Sequence, residues 1–179
     1  EFGAALEAFE AREYAKALAA ANAVLVKFKG LPSDWAQQAA GMVGDIYAAL
    51  NDDAKAAAAF AEYQKLYPGQ SSVQADVAAA RVAISKKDWD EAARLLDGVT
   101  SKALAEANPP DQFASAYSRA FFFSGQVKEA QGNKAEALQD YLRAVTVFSG
   151  DPLAVSGAKE AADRLRAEAK ASGTVLAVP

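Results

Sequence analysis

A chain of 179 residues has room for one compact domain or one array of repeats, and its 52% hydrophobic content is ample for a buried core. Much of that content is alanine, which favours helix and adds little bulk, so the composition reads as closely packed helices. A net charge of −4 argues against a nucleic-acid partner, which draws out a basic stripe. The absence of Cys and His removes disulfides, thiolate chemistry and the commonest general base.

No run of about 18 apolar residues is present to span a bilayer, and no charged-then-apolar segment opens the chain as a signal peptide would. Phe2, Leu6 and Phe9 already stand at helical spacing with no cap before them. The expectation is a fragment or processed form, with any targeting or anchoring segment upstream.

The first helix reads as Phe2–Ala11 and its partner as Tyr14–Phe28, with Tyr14, Ala17, Leu18, Ala21, Leu25 and Phe28 on one stripe. Gly30–Leu31–Pro32 stops the second helix, and Ser33 or Asp34 can cap the next. The second hairpin runs over about 34–68. Gly44 and Tyr47 lie on its first helix, Asn51–Asp52–Asp53 form its turn, Ala56, Phe60 and Tyr63 lie on its second helix, and Pro68 closes it. In the third, about 71–108, Ala80 and Ala83 are the small residues of the first helix. Lys86–Lys87–Asp88 turns, and Trp89, Ala92, Leu96 and Val99 follow. Asn108–Pro109–Pro110 cannot continue a helix, because proline restricts the residue before it and donates no backbone hydrogen bond.

The fourth hairpin, about 111–151, contains the most regular stretch, Gly125–Pro152, in which Gly125, Gly132, Ala137, Tyr141 and Ala144 fall where a helical hairpin needs small residues at its closest contact and a large one between helices. Gly150–Asp151–Pro152 ends it. A last helix over 153–171 carries Ala158, Ala161, Ala162, Leu165 and Ala169 on one side and charges elsewhere, the composition of a terminal helix that covers an open end. The tail 172–179 is either a disordered end or a strand-like segment lying on a neighbour.

The small–aromatic–small–aromatic spacing with a closing proline at Gly44, Tyr47, Ala56, Phe60 and Pro68, echoed at Gly125–Tyr141, resembles the tetratricopeptide repeat. The resemblance implies an all-α fold: a right-handed superhelical array, an α-solenoid, of about four hairpins and a capping helix, forming a single repeat domain over 1–171. Ala56, Ala92 and Ala137 are spaced by 36 and then 45 residues, the excess going into Thr100–Asp111, since insertions in arrays fall in loops.

No catalytic, cofactor or metal site is implied. Asp52–Asp53 and Asp88, Asp90 and Glu91 sit in expected turns, where Asp caps the following helix, and Gly30, Gly41 and Gly44 precede no phosphate-loop Lys–Ser/Thr. The expected role is therefore a non-catalytic scaffold for a protein or peptide. In the family resembled, the first helices of successive hairpins line a concave groove. Carried over, those positions are Gln38, Asp45, Gln74, Arg81, Arg119, Phe122, Gln126 and Glu129.

The Lys and Asn pair that clamps a C-terminal carboxylate in the chaperone-binding subgroup is missing, since the matching positions hold Gly41 and Asp45, Val77 and Arg81, and Phe122 and Gln126. Phe121, Phe122 and Phe123 point about 100° apart on a helix. Either all three are core, or Phe121 is core and Phe122 is a groove anchor.

The overall style also resembles bacterial envelope proteins with these repeats, which implies the periplasm or cell envelope. The other functional readings are self-association into a homo-oligomer and an accessory domain of a larger membrane-anchored protein. If Ala137 is a helix crossing point, Ala137→Leu should overpack it and cost roughly 1–3 kcal/mol. An unchanged melting temperature would count against the hairpin reading.

Overall fold

A computed structural model describes residues 2–29, 31, 33–67 and 73–176, and among these residues every regular element is helical. The elements are α1 (Phe2–Glu10), α2 (Tyr14–Lys27), α3 (Asp34–Ala49), α4 (Asp53–Leu66), α5 (Val73–Ser85), α6 (Trp89–Ala105), a 3-10 turn (Asp111–Phe113), α7 (Ala114–Ala130), α8 (Lys134–Thr146) and α9 (Pro152–Ser172). Most ends fall within a few residues of those read from the sequence, but Thr100–Ala105, expected to be inserted loop, continues α6, with Thr100 and Ala103 buried. Gly30, Pro32, Pro68, Ser71 and residues 177–179, which carry the expected helix stop, the closing proline, the start of the third hairpin and the end of the tail, lie outside the described residues.

The same backbone device ends α1, α3, α5 and α7. Arg12, Asn51, Lys87 and Gly132 all take positive φ, between 58° and 86°. Each donates its N–H three residues back, to Phe9, Ala48, Ile84 and Glu129, at 2.9–3.0 Å. The next residue donates five back: Glu13 to Ala8, Asp52 to Tyr47, Asp88 to Ala83 and Asn133 to Lys128, at 2.8–2.9 Å. This paired closure satisfies carbonyls that a helix end leaves orphaned, and it turns the chain sharply into the next helix. Asp52 and Asp88 then cap α4 and α6, accepting from the Lys55 and Glu91 N–H groups at 3.2 and 3.3 Å.

Five residues beyond each left-handed position stands an alanine with no exposed surface: Ala17, Ala56, Ala92 and Ala137. Four residues further on come Ala21, Phe60, Leu96 and Tyr141, also buried. The turn thus fixes which face of the following helix points inward, because helical neighbours recur at three and four residues.

The chain divides into two compact units, Glu1–Ala78 and Ala79–Pro179. In the first, α1, α2 and α3 enclose Ala5, Ala8, Ala17, Ala21, Val24, Ala39, Met42 and Ile46. A second cluster joins Ala48 of α3, Ala56 and Phe60 of α4 and Ala78 of α5. A Cβ placed on Gly44 would collide with the Phe60 ring, so the close packing of α3 on α4 depends on a residue without a side chain.

In the second unit α7 is packed on by α6, α8 and α9. Phe121 is fully buried and stacks on Phe148 with ring centroids 4.5 Å apart, and Tyr117 meets the same Phe148 edge-on at 6.1 Å. Burial, aided by a hydrogen bond to Glu106, pushes the Tyr117 phenol up to about 12. A Cβ on Gly125 would collide with the Tyr141 ring. Gly44 and Phe60 are sixteen residues apart, as are Gly125 and Tyr141, so each unit contains the same glycine-to-ring contact.

Gly44→Ala and Gly125→Ala should each destabilise by about 1–3 kcal/mol, through the ring displacement that overpacking forces. Gly98 of α6 has nothing within 4 Å of its would-be Cβ, so Gly98→Ala should gain about 1 kcal/mol from helix propensity alone. Urea unfolding of the three variants checks this, and equal signs for all three would contradict it.

Candidate functional site

The eight groove positions divide between the units. Gln38 (exposed) and Asp45 (half-buried) stand on α3 and half-buried Gln74 on α5, all in the first unit. Arg81, Arg119, Phe122, Gln126 and Glu129 belong to the second.

Two of those five are engaged away from the other three. The Arg81 guanidinium lies over the Phe123 ring, 4.9 Å from its centroid. Arg119 donates to the Ser115 carbonyl at 3.4 Å and pairs with Asp151 at 3.5 Å, with only 14% of its side chain exposed. Asp151 works at both ends of this corner. One carboxylate oxygen caps α9, accepting from the Leu153 and Ala154 N–H groups at 3.0 Å, and the other accepts from the Ser115 hydroxyl at 3.1 Å. Gly150 passes so close to Ala114 that a Cβ would sit 2.5 Å from its carbonyl carbon. Arg119 thus serves to fasten the α8–α9 connection to the start of α7.

The remaining three converge. Phe122, Gln126 and Glu129 follow one another along one face of α7 and, with Tyr141 of α8 and Gly157, Glu160, Ala161 and Arg164 of α9, line a cleft of about 670 Å³. Phe122 is half-buried, because α9 comes close enough that a Cβ on Gly157 would lie 2.7 Å from its ring. Its centroid is 6.1 Å from that of Tyr141.

Charge at the end of the cleft is tied into a chain. Glu129 accepts from the Tyr141 hydroxyl at 2.9 Å and is held by both terminal nitrogens of Arg164, at 2.7 and 2.9 Å. Arg164 reaches on to Glu168 at 3.2 Å, and Lys134 of α8 meets the same Glu168 at 3.0 Å. The hydrogen bonds from Arg164 hold the Glu129 carboxyl below its ordinary 4.5, against the opposing effect of burial. Burial, followed by the hydrogen bond to Glu129, raises the Tyr141 phenol, which stays neutral and able to donate.

A second polar cluster is internal. Asp140 of α8 is 1% exposed and accepts from the Ser124 hydroxyl at 2.7 Å, the Lys128 ammonium at 2.6 Å and the Arg143 guanidinium at 3.0 Å. With both carboxylate oxygens engaged and almost no exposed surface, it locks α7 to α8. Spacing alone reveals only its Arg143 partner, three residues along the same helix. Ser124, Lys128 and the Glu129–Arg164 pair sit on different helices from the groups they meet.

Neither comparison with models of known protein families nor comparison with curated proteins found a match. Among the described residues no helix is long and apolar enough to cross a membrane.

Because the folded-state pKa of Glu129 is depressed, its contribution to stability is complete above pH 4.5 and is lost as pH falls through the folded value. The partners are partly exposed, so the contribution is about 1 kcal/mol or less. Glu129→Gln should therefore lower the melting temperature at pH 7, with a deficit that shrinks as the pH drops below 4.5. A deficit that stays constant down to about pH 3 would show that the charge on Glu129 is immaterial.

Proposed function

We propose that the chain is a non-catalytic protein-binding module, an α-solenoid of tetratricopeptide-like hairpins that takes a peptide segment of its partner along α7, the first helix of the fourth hairpin. The observation that carries this reading is the convergence of Phe122, Gln126 and Glu129 on one cleft faced by α9. Phe122 supplies an aromatic surface that is only half covered, and Gln126 a side-chain amide able both to donate to and to accept from a peptide backbone. The recurring left-handed turn, followed each time by a buried alanine at the same offset, supports the repeat reading. The absence of His and Cys from the sequence favours binding over nucleophilic or metal-assisted chemistry.

Selection of peptides from a random library on the purified protein tests the reading. Peptides so obtained should lose at least about tenfold in affinity against Phe122→Ala, a typical cost for a buried aromatic anchor, and a smaller amount against Gln126→Ala, with both variants melting cooperatively. Selected peptides that bind both variants as tightly as the parent would place recognition elsewhere and refute the cleft.

A further inference from the structure

The cleft carries a charge preference, and this inference rests on the peptide-binding reading above. Its floor is apolar: the Phe122 ring, the bare backbone of Gly157, and Ala130 and Ala161. Its one basic lining residue is Arg164, and that guanidinium is already held by Glu129 on one side and Glu168 on the other. Lys134, the next cation along, is held by Glu168. Arg81 and Arg119 are not part of the lining.

Two polar lining groups are left without a hydrogen bond or ion pair among the described residues, the Gln126 amide and the exposed Glu160 carboxylate. Three carboxylates, Glu129, Glu160 and Glu168, therefore face two cations, and the one negative charge left over sits on Glu160 at the open rim.

We infer that the cleft selects a short peptide segment in which an apolar side chain is flanked by Lys or Arg. The apolar side chain lies on the uncovered part of the Phe122 ring, and the cation meets Glu160. An acidic segment finds no free cation there and places its charge against Glu160, which costs affinity, so like-charge repulsion contributes as much to selection as attraction does. Because Glu160 is on the rim, the preference is modest and screened by salt.

Three end-blocked octapeptides serve as probes in fluorescence anisotropy at low ionic strength: leucine alternating with lysine, with glutamate and with serine. The Leu–Lys peptide should bind roughly fivefold tighter than the Leu–Glu peptide, as expected for a rim charge pair, and the gap should close with added salt. Glu160→Lys, an exposed substitution with no packing to disturb, should reverse the order, while Phe122→Ala weakens all three probes together.

Equal binding of the Lys and Glu peptides, or a preference that Glu160→Lys leaves unchanged, overturns the charge inference while leaving the cleft intact. Binding of all three probes that is indifferent to Phe122→Ala overturns the cleft reading itself.

Discussion

Two backbone hydrogen bonds at a left-handed residue decide where each hairpin folds back. At Arg12, Asn51, Lys87 and Gly132 the helix ends because its last carbonyls are answered by the turn rather than by another helical residue. Three of these four positions hold side chains, although glycine is the residue that takes positive φ without a steric penalty, so tertiary packing holds a conformation that local preference alone resists. The reward is positional. With the turn fixed, the alanine five residues on arrives at the crossing with no exposed surface in all four cases.

Packing in each unit then follows from where bulk is absent. Gly44 and Gly125 leave the space that Phe60 and Tyr141 fill, and Gly157 leaves the space against which Phe122 rests. Close approach of helices gives dense contact at the expense of tolerance, because a single methyl at these points meets a ring that must shift to make room. Charge is used in the second unit to bind helices together: Asp140 joins α7 to α8 from inside, Glu129 and Arg164 join α7 to α9 at the cleft, and Asp151 joins the start of α9 to α7.

The helices and most of their starts were legible in the sequence because they rest on local signals such as alanine-rich stripes and Asp before a helix, whereas the end of α6 was not, since Thr100–Ala105 carries no stop signal before Asn108–Pro109–Pro110. The buried positions of Ala56, Phe60, Ala92, Leu96, Ala137 and Tyr141 were legible for the same reason, through their shared offsets from the turns. Trp89, which follows the same turn as Ala92 and Leu96, is only half-buried.

The candidate site was legible only in part. Phe122, Gln126 and Glu129 share one helix and one face, so periodicity could group them, but nothing in the spacing revealed that α9 supplies the opposite wall through Gly157, Glu160 and Arg164. Arg119 was grouped with them by the positions carried over from the family resembled, yet it is occupied by Asp151, a partner brought close where Gly150 passes against Ala114. Long-range pairings of this kind depend on how far the chain travels between helices, which residue spacing along a helix does not encode.

Amide hydrogen exchange measured residue by residue tests the shared turn most directly. If one closure ends all four helices, the N–H groups of Glu13, Asp52, Asp88 and Asn133, each bonded five residues back, should all exchange far more slowly than that of exposed Val175. Exchange at any one of the four as fast as at Val175 would contradict the account, because that hairpin would lack the bond that sets its inward face.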